Sequence, residues 1–531
     1  NDVTDLMNPG RDELQVQLAV YELGWVWNWT GNDGYPAPYF DDVTVKIFPY
    51  IGPGMAARQL DLAQDNFPAR GTIDLGDLAS HSVRFDMANN VSLAAHLRND
   101  PGDSCVIDVV PVRAGADHDG NPEFHYILDP NPVFDPYRTS GLSNQGTVVC
   151  WPAVGISTVP SPGKWAFDLP DTGFLFPGDV LRYYISATDA IGGVGGTDPQ
   201  TSLMPADTTG FSSSFDNPLN YNSLFTVRAL PSIRDDGFGG YEQPQVLFLK
   251  DTFNGGYNEF HWYNALKNIG LEVGEGYDVY STNGASSGVG NGIGGRANAL
   301  MLSEYDDILY TSATHKVSTI SNGDYTGDAG NDVGTLKDWL DQGSKDMFLT
   351  GDNLATDLAQ SGTETLDLLE NYMGLTVVTD NVRPLIGTQT APLVRVVPGN
   401  PVWEGVLDSW IAYGGCFSIN TFDGVTVFGS GQRIAEFTDP AGQMGQYTFS
   451  AATLNIRNPG PGESRIISMP VDFMFIHTDP DAPGNPLPGR VLLLRDVLGY
   501  FGVEGDAIAV SDAPDRISFT VSNVPNPFNP A

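Results

Sequence analysis

The chain predicts a multidomain protein: an N-terminal all-β sandwich or jelly-roll region, then an α/β domain with a mostly parallel sheet and a β-rich insertion. Three observations support this. The 531 residues include 61 glycines and 38 prolines alongside 41% hydrophobic residues, a balance that suits a folded, turn-rich chain and not an acidic disordered one. Through about residue 230, short runs of alternating polarity recur between turn signals. From about residue 241, continuous apolar runs alternate with helical stripes. A chain of this length also exceeds one ordinary core, so two to four domains are expected.

In the first region (1–230) the strand-like runs are Leu14–Val20, Val43–Ile47, Val106–Val110 and Leu181–Ala187. Asn32-Asp33-Gly34, Pro101-Gly102, Asp119-Gly120, Pro162-Gly163 and Pro177-Gly178 punctuate them, as turns do in sandwiches of one or two modules. The texture changes at Arg234–Gly240. Val246–Leu249 then reads as a buried parallel strand. Trp262, Leu266 and Ile269 mark a helix face, and Asp306–Ser312 a second strand. Leu336, Trp339 and Leu340 lie on a helix stopped by Gly343, and Met347–Thr350 is a strand running into Gly351-Asp352-Asn353. Leu366, Leu369 and Met373 form another face, ended by Gly374. Arg465–Met469 is a strand, and Leu494, Val497, Leu498 and Phe501 give a full stripe before Gly502. Strands alternating with helices imply βαβ units over 241–505. Residues 376–460 break that pattern with short strands, as a β-rich insertion or an antiparallel extension of the sheet would. Residues 506–531 read as an extended linker.

The formal charge is −39. It excludes nucleic acid, whose phosphates need Lys and Arg, and disfavours an anionic membrane surface. Only 17% of residues are charged, so the imbalance owes as much to scarce basic residues as to abundant acids. The acids gather in Asp/Gly/Asn turns, which suits an environment rich in divalent cations. No run approaches the ~20 apolar residues of a membrane span.

Candidate chemistry is sparse. Asp117, Asp119, Asn121 and Glu123 place hard oxygens at alternate positions around Gly120, a pattern that suits Ca²⁺ without matching the EF-hand loop; the other reading is a solvated hairpin tip. Asp324, Asp328 and Asp332 form a less complete set. No organic cofactor is indicated. Trp25, Trp27 and Trp29 alternate, so they share one side of a strand, either as a sugar-stacking platform or as core. Cys105 and Cys150 both sit in strand-like sequence and are read as a disulfide or as two buried thiols. The turn Thr350-Gly351-Asp352-Asn353 has neither Cys nor Ser, and Asp352 there is expected to cap a helix. Cys416, preceded by Gly414 and Gly415, could pair with His315 as a nucleophile–base dyad. No zinc-protease, P-loop, CxxC or GxSxG motif is present.

Two resemblances extend this reading. Val524-Pro525-Asn526-Pro527-Phe528-Asn529-Pro530 resembles the opening of the C-terminal sorting domain of proteins exported by type IX secretion. That resemblance implies a secreted or cell-surface protein whose sorting domain was cleaved or lies beyond this sequence. Tyr305–Ser312 (YDxxxYxS), Leu336–Asn353 (LxxWLDxGxxxxFLTGDN) and Arg465–Gly502 (RIISMPVDF…LLRDVLGYFG) resemble flavodoxin-like and class I glutamine-amidotransferase-like domains. The latter family places Gly-x-Cys-x-Gly where this chain has Gly351-Asp352-Asn353, so the resemblance implies a degenerate, non-catalytic copy. Gingipain-like cysteine peptidases, exported by the same route, are similar in carrying a Cys/His pair, but they place His-Gly before the Cys, and Lys316 follows His315 here. The resulting expectation is a surface, adhesion or assembly protein, filamentous if it polymerises, partnered by its own copies, by surface polymer or glycan, and by the export machinery. The rivals are a secreted hydrolase and a carbohydrate-binding protein.

Overall fold

The computed structural model describes residues 120–154, 174–190, 226–252, 257–282, 292–320, 330–387, 393–412, 421–478 and 489–503, apart from 239–240, 404–408 and scattered single positions. It also describes short stretches around 201–211 and the backbone of strands at 54–56, 72–78, 81–86, 105–110, 117–118 and 160–167. Trp25, Trp27, Trp29, Asp119, Asp324, Asp328, Cys416, the side chain of Cys105 and the 506–531 tail lie outside the described residues.

Among the described residues the first half contains a two-stranded ribbon, Thr72–Leu78 with His81–Asp86, and two larger antiparallel sheets. One joins Gly54–Ala56, Cys105–Val110, Pro160–Phe167 and Trp151–Val154. In the other, the long strand Val180–Ala190 pairs with Glu123–Asp129, which pairs in turn with Gln145–Val149. Alternation sets the buried face: Phe124, Tyr126 and Leu128 meet Leu181, Tyr183 and Ile185 inside, with the Phe124 and Tyr183 rings stacked 5.0 Å apart.

The second half is built on one ten-stranded mixed sheet. Its strands are β1 (Val246–Lys250), β2 (Tyr277–Ser281), β3 (Asp307–Thr311), β4 (Asp346–Thr350), β5 (Leu393–Val396), β6 (Ser409–Ala412), β7 (Gln432–Phe437), β8 (Ala452–Arg457), β9 (Ser464–Met469) and β10 (Ile476–Thr478). The order is β2-β1-β3-β4-β9-β8-β7-β5-β6-β10. The first five run parallel and the rest are antiparallel. Within residues 376–460 four strands extend the sheet, the second of the two arrangements their sequence allowed, while Leu375–Thr379 and Gly424–Val427 pair as a separate two-stranded ribbon. β1, β3 and β4 are buried along their whole length, which is why each reads as a continuous apolar run.

Helices cover both faces. α1 (Tyr257–Ile269) and α4 (Gly489–Phe501) bury Trp262, Leu266, Leu494 and Leu498 against Val246, Phe248, Phe348 and Ile467. On the other face α2 (Asp332–Leu340) and α3 (Leu354–Ser361) bury Leu336, Trp339, Leu354 and Leu358 against Leu247, Ile308, Leu349 and Ile466. The predicted faces of α1, α2 and α4 are the ones buried. Leu369 is buried on a helical stretch, 363–372, that ends in one π turn, and Met373 is buried just after it.

The chain between the halves is itself packed. Leu230 belongs to the core shared with Leu247 and Tyr305. The Ser232 amide donates to Asp278 Oδ2 at 2.9 Å, and Asn131 Nδ2 donates to the Ile233 carbonyl at 2.7 Å.

Candidate functional site at the carboxyl edge of the sheet

The strand order reverses direction at β1, which is flanked by β2 and β3. In open α/β sheets the carboxyl ends at such a point gather ligand sites. Here that edge is formed by Lys250 and Asp251 at the end of β1, Ser312, Ala313 and His315 after β3, and Gly351 to Asn353 after β4.

Lys250 is 1% exposed, and its Nζ donates to Glu259 Oε1 at 2.7 Å from the first turn of α1. Burial pushes the lysine pKa down, while Glu259 opposes that shift by Coulomb attraction and hydrogen bonding. The Tyr263 hydroxyl also bonds to Glu259, and its ring lies 5.9 Å from Nζ. Asp251 is fully buried and accepts from Tyr310 Oη at 2.6 Å and Thr282 Oγ1 at 3.0 Å. His315 is half-buried near this edge; burial lowers its pKa, and a hydrogen bond to the Asp251 backbone raises it.

The turn after β4 is held from several directions. The Gly351 amide donates to the Val471 carbonyl at 3.2 Å and the Asp352 amide to the Ala313 carbonyl at 2.7 Å. Gly351 is required, since a Cβ there would sit 1.9 Å from Ser312 Oγ. Asn353 adopts a left-handed conformation, φ 65°, at the N-cap of α3, and its side chain makes no capping bond. Asp352, expected from sequence to be the cap, lies one residue before that position and ties the turn to another segment instead. Its fully buried carboxylate accepts from the Thr421 amide at 3.1 Å and Thr421 Oγ1 at 3.0 Å.

The cap comes from elsewhere. Asp423, fully buried, accepts from the Ala355 amide at 3.0 Å, the Thr356 amide at 3.2 Å and Thr356 Oγ1 at 2.9 Å. It sits where a helix N-terminus presents its unsatisfied N–H groups to an anion. Burial pushes its pKa up to about 7, opposed by the bonds from Thr356 and Ala355, with Asp352 adding to the rise. Phe422, between the two tethered residues, is buried in the opposite core and lies against Arg383, 4.6 Å from its guanidinium. Thr421–Asp423 and the β4 turn therefore clasp each other through two carboxylates. The α3 N-terminus is thus occupied by the Asp423 carboxylate, and the left-handed residue of the turn is Asn353.

The remaining predicted residues are dispersed. Glu123 faces outward on its strand, 3.6 Å from His125 Nε2, and Asn121 is exposed. Asp117 lies in a two-residue strand paired with 189–190. Asp332 is buried in the first turn of α2, where Oδ1 accepts from the Gly294 amide at 2.7 Å. Among the described residues no group of three or more His, Cys, Asp or Glu side chains is placed to hold a metal ion. Cys150 is a buried free thiol in this structure where a bridge to Cys105 was one of the two readings, and burial pushes its pKa up to about 12. His315 lies at the carboxyl edge; its proposed partner Cys416 is outside the described residues. Asp423 carried no sequence signal, because its partners are 67 and 68 residues away.

No protein-family model matches the chain, and no curated protein matches it. Among solved structures it is similar to a Thermoplasma acidophilum protein described as part of a GMP synthase, at 10% identity over 49% of this chain and 96% of that one, with a TM-score of 0.27. That score is too low for the site to be read across. Among the described residues no helix is long and apolar enough to cross a membrane.

Proposed function

We propose that this is a secreted or cell-surface protein without catalytic activity, acting in surface structure, adhesion or extracellular polymer assembly. In this reading the two larger antiparallel sheets of the first half are parts of a sandwich region, the α/β domain is a degenerate amidotransferase-like scaffold, and the tail leads toward a type IX sorting module. The supporting observation is the occupied α3 N-terminus: Asp423 accepts from its Ala355 and Thr356 amides, and the turn beside it, Thr350-Gly351-Asp352-Asn353, carries neither Cys nor Ser. Ca²⁺ is proposed for the turn-borne acids of the 117–123 loop, with stabilisation by mass action.

The test has three arms. The purified chain is assayed against peptide, amide and glycan substrates, with Cys416→Ser and His315→Ala as controls. Absence of turnover supports the proposal. Turnover abolished by either variant would replace it with the hydrolase reading. Light scattering with millimolar Ca²⁺ should show self-association, and a strict monomer in all conditions counts against polymer assembly. EDTA should lower the melting temperature by a few degrees and excess Ca²⁺ restore it; an unchanged melt removes calcium from the reading.

A further inference from the structure

We infer that one ordered water molecule is part of the sheet, held between the hydroxyls of Thr453 and Ser468 where the parallel strands give way to the antiparallel extension. β8 and β9 meet at that seam, and their register sets Thr453 opposite Ser468. Ser468 in turn stands opposite Leu349 of β4, which lies in the core under α2 and α3. Alternation puts both hydroxyls on that face, while the adjacent Leu454 and Ile467 enter the core under α1 and α4. Both residues are fully buried, and neither hydroxyl has a hydrogen-bond partner, the other included.

Buried polar groups are paired, with protein or with ordered water. The neighbours show that protein is not the partner here. Two residues along β8, on the same face, the Asn455 amide is satisfied by the Ser430 hydroxyl at 2.7 Å and the Tyr372 carbonyl at 2.8 Å. Arg433 of β7 stands opposite Thr453, but its guanidinium donates to Glu436 and to the Tyr447 and Thr448 carbonyls. The occupant follows from the two groups left. Facing side chains on adjacent strands stand about 5 Å apart at Cβ, a separation that one water spans. Each hydroxyl is neutral and can both donate and accept. The pair therefore suits a small neutral molecule that accepts from one and donates to the other, and two such partners are enough to hold a buried water.

Two measurements on the whole chain test this. A high-resolution crystal structure should show a water peak about 2.8 Å from both hydroxyls. Thermal melts of Thr453→Val and Ser468→Ala give an independent readout, because the sign of the change differs between the alternatives. With the water in place, each single variant leaves it short of a partner and should lower the melting temperature by about 2–4 °C. The double variant should lose about as much as either single and not their sum, since both report on one bridge. Thr453→Ser keeps the hydroxyl and should keep the water peak. Without the water, each single variant deletes a buried hydroxyl that has no partner, and the melting temperature should rise. A rise in either single, additive losses in the double, or a direct bond between the two hydroxyls with no peak between them overturns the inference. The wild-type peak decides the matter if a variant fails to fold.

Discussion

Lys250→Met should be among the most destabilising single changes in the α/β half. The side chains of Lys250 and Glu259 are 2% and 5% exposed and meet at 2.7 Å. The methionine fills the lysine stem's volume but leaves the Glu259 carboxylate buried without this cation, though still bonded by the Tyr263 hydroxyl. Breaking one side of a buried pair costs about 3–5 kcal/mol, a large part of the roughly 5–15 kcal/mol that holds a domain folded. For a domain of this size that corresponds to a melting temperature lower by about 6–20 °C. Glu259→Leu alone should cost a similar amount, because it strands the ammonium instead. The double variant should recover part of the loss, since an apolar pair of similar volume incurs no charge desolvation, and stay about 1–3 kcal/mol below wild type because the Tyr263 hydroxyl loses its Glu259 acceptor. Guanidinium titration followed by tryptophan fluorescence reads this directly, because Trp262 is buried 4.8 Å from the Phe248 ring in the same layer. A single variant losing less than about 1 kcal/mol, or a double variant no better than either single, would refute the reasoning.

Three further outcomes follow from buried contacts. Burial, with Asp346 and Asp306 close by, pushes the Asp307 pKa up to about 8. The unfolded chain then releases this proton near pH 4 and the folded chain near pH 8, so stability declines as pH rises through that window; Asp307→Asn should flatten the decline and gain a few kcal/mol at pH 9, as read by urea melts at several pH values. Gly351→Ala should cost about 2 kcal/mol or more from its clash with Ser312 Oγ, and adding Ser312→Ala should return part of that in calorimetry. Arg465 pairs with Asp346 and donates to the Tyr500 and Phe501 carbonyls at the end of α4, so Arg465→Ala should cost about 2 kcal/mol in urea melts; Arg465→Lys should restore little, because a lysine cannot make the fork.

What was legible in the sequence was periodicity. Val246–Lys250, Asp307–Thr311 and Asp346–Thr350 are buried on both faces, so they appear as apolar runs, and the α1, α2 and α4 stripes appear at helical spacing. Elements with weaker patterns escaped. β2 is an edge strand whose Asp278 is buried and bonded by Ser232 and Tyr305, so its run of Tyr277-Asp278-Val279-Tyr280 signals no face. α3 is eight residues long and carries Asp357, whose carboxylate is turned inward to the Thr319 amide and hydroxyl. The site itself was half legible. The lack of a nucleophile after β4 is local and could be read from four residues. The partners of Asp352 and Asp423 are 67–69 residues apart and are set by Thr421–Asp423, just ahead of the Gly424–Val427 strand, returning to the sheet edge, which no local pattern encodes.

The packed passage between the halves determines where the chain can be divided. Composition changes at Arg234–Gly240, and a cut at Tyr241 would look clean on that basis. Such a fragment would lack Leu230, leaving an opening beside Leu247 and Tyr305, and would lack the Ser232 amide, one of the donors to Asp278 beside Tyr305 Oη. Burial already raises the Asp278 pKa, so losing a donor should drive it further toward the neutral acid. The α/β half should therefore be well folded only when the cut is made upstream of Leu230, so the boundary set by packing lies before the one set by composition.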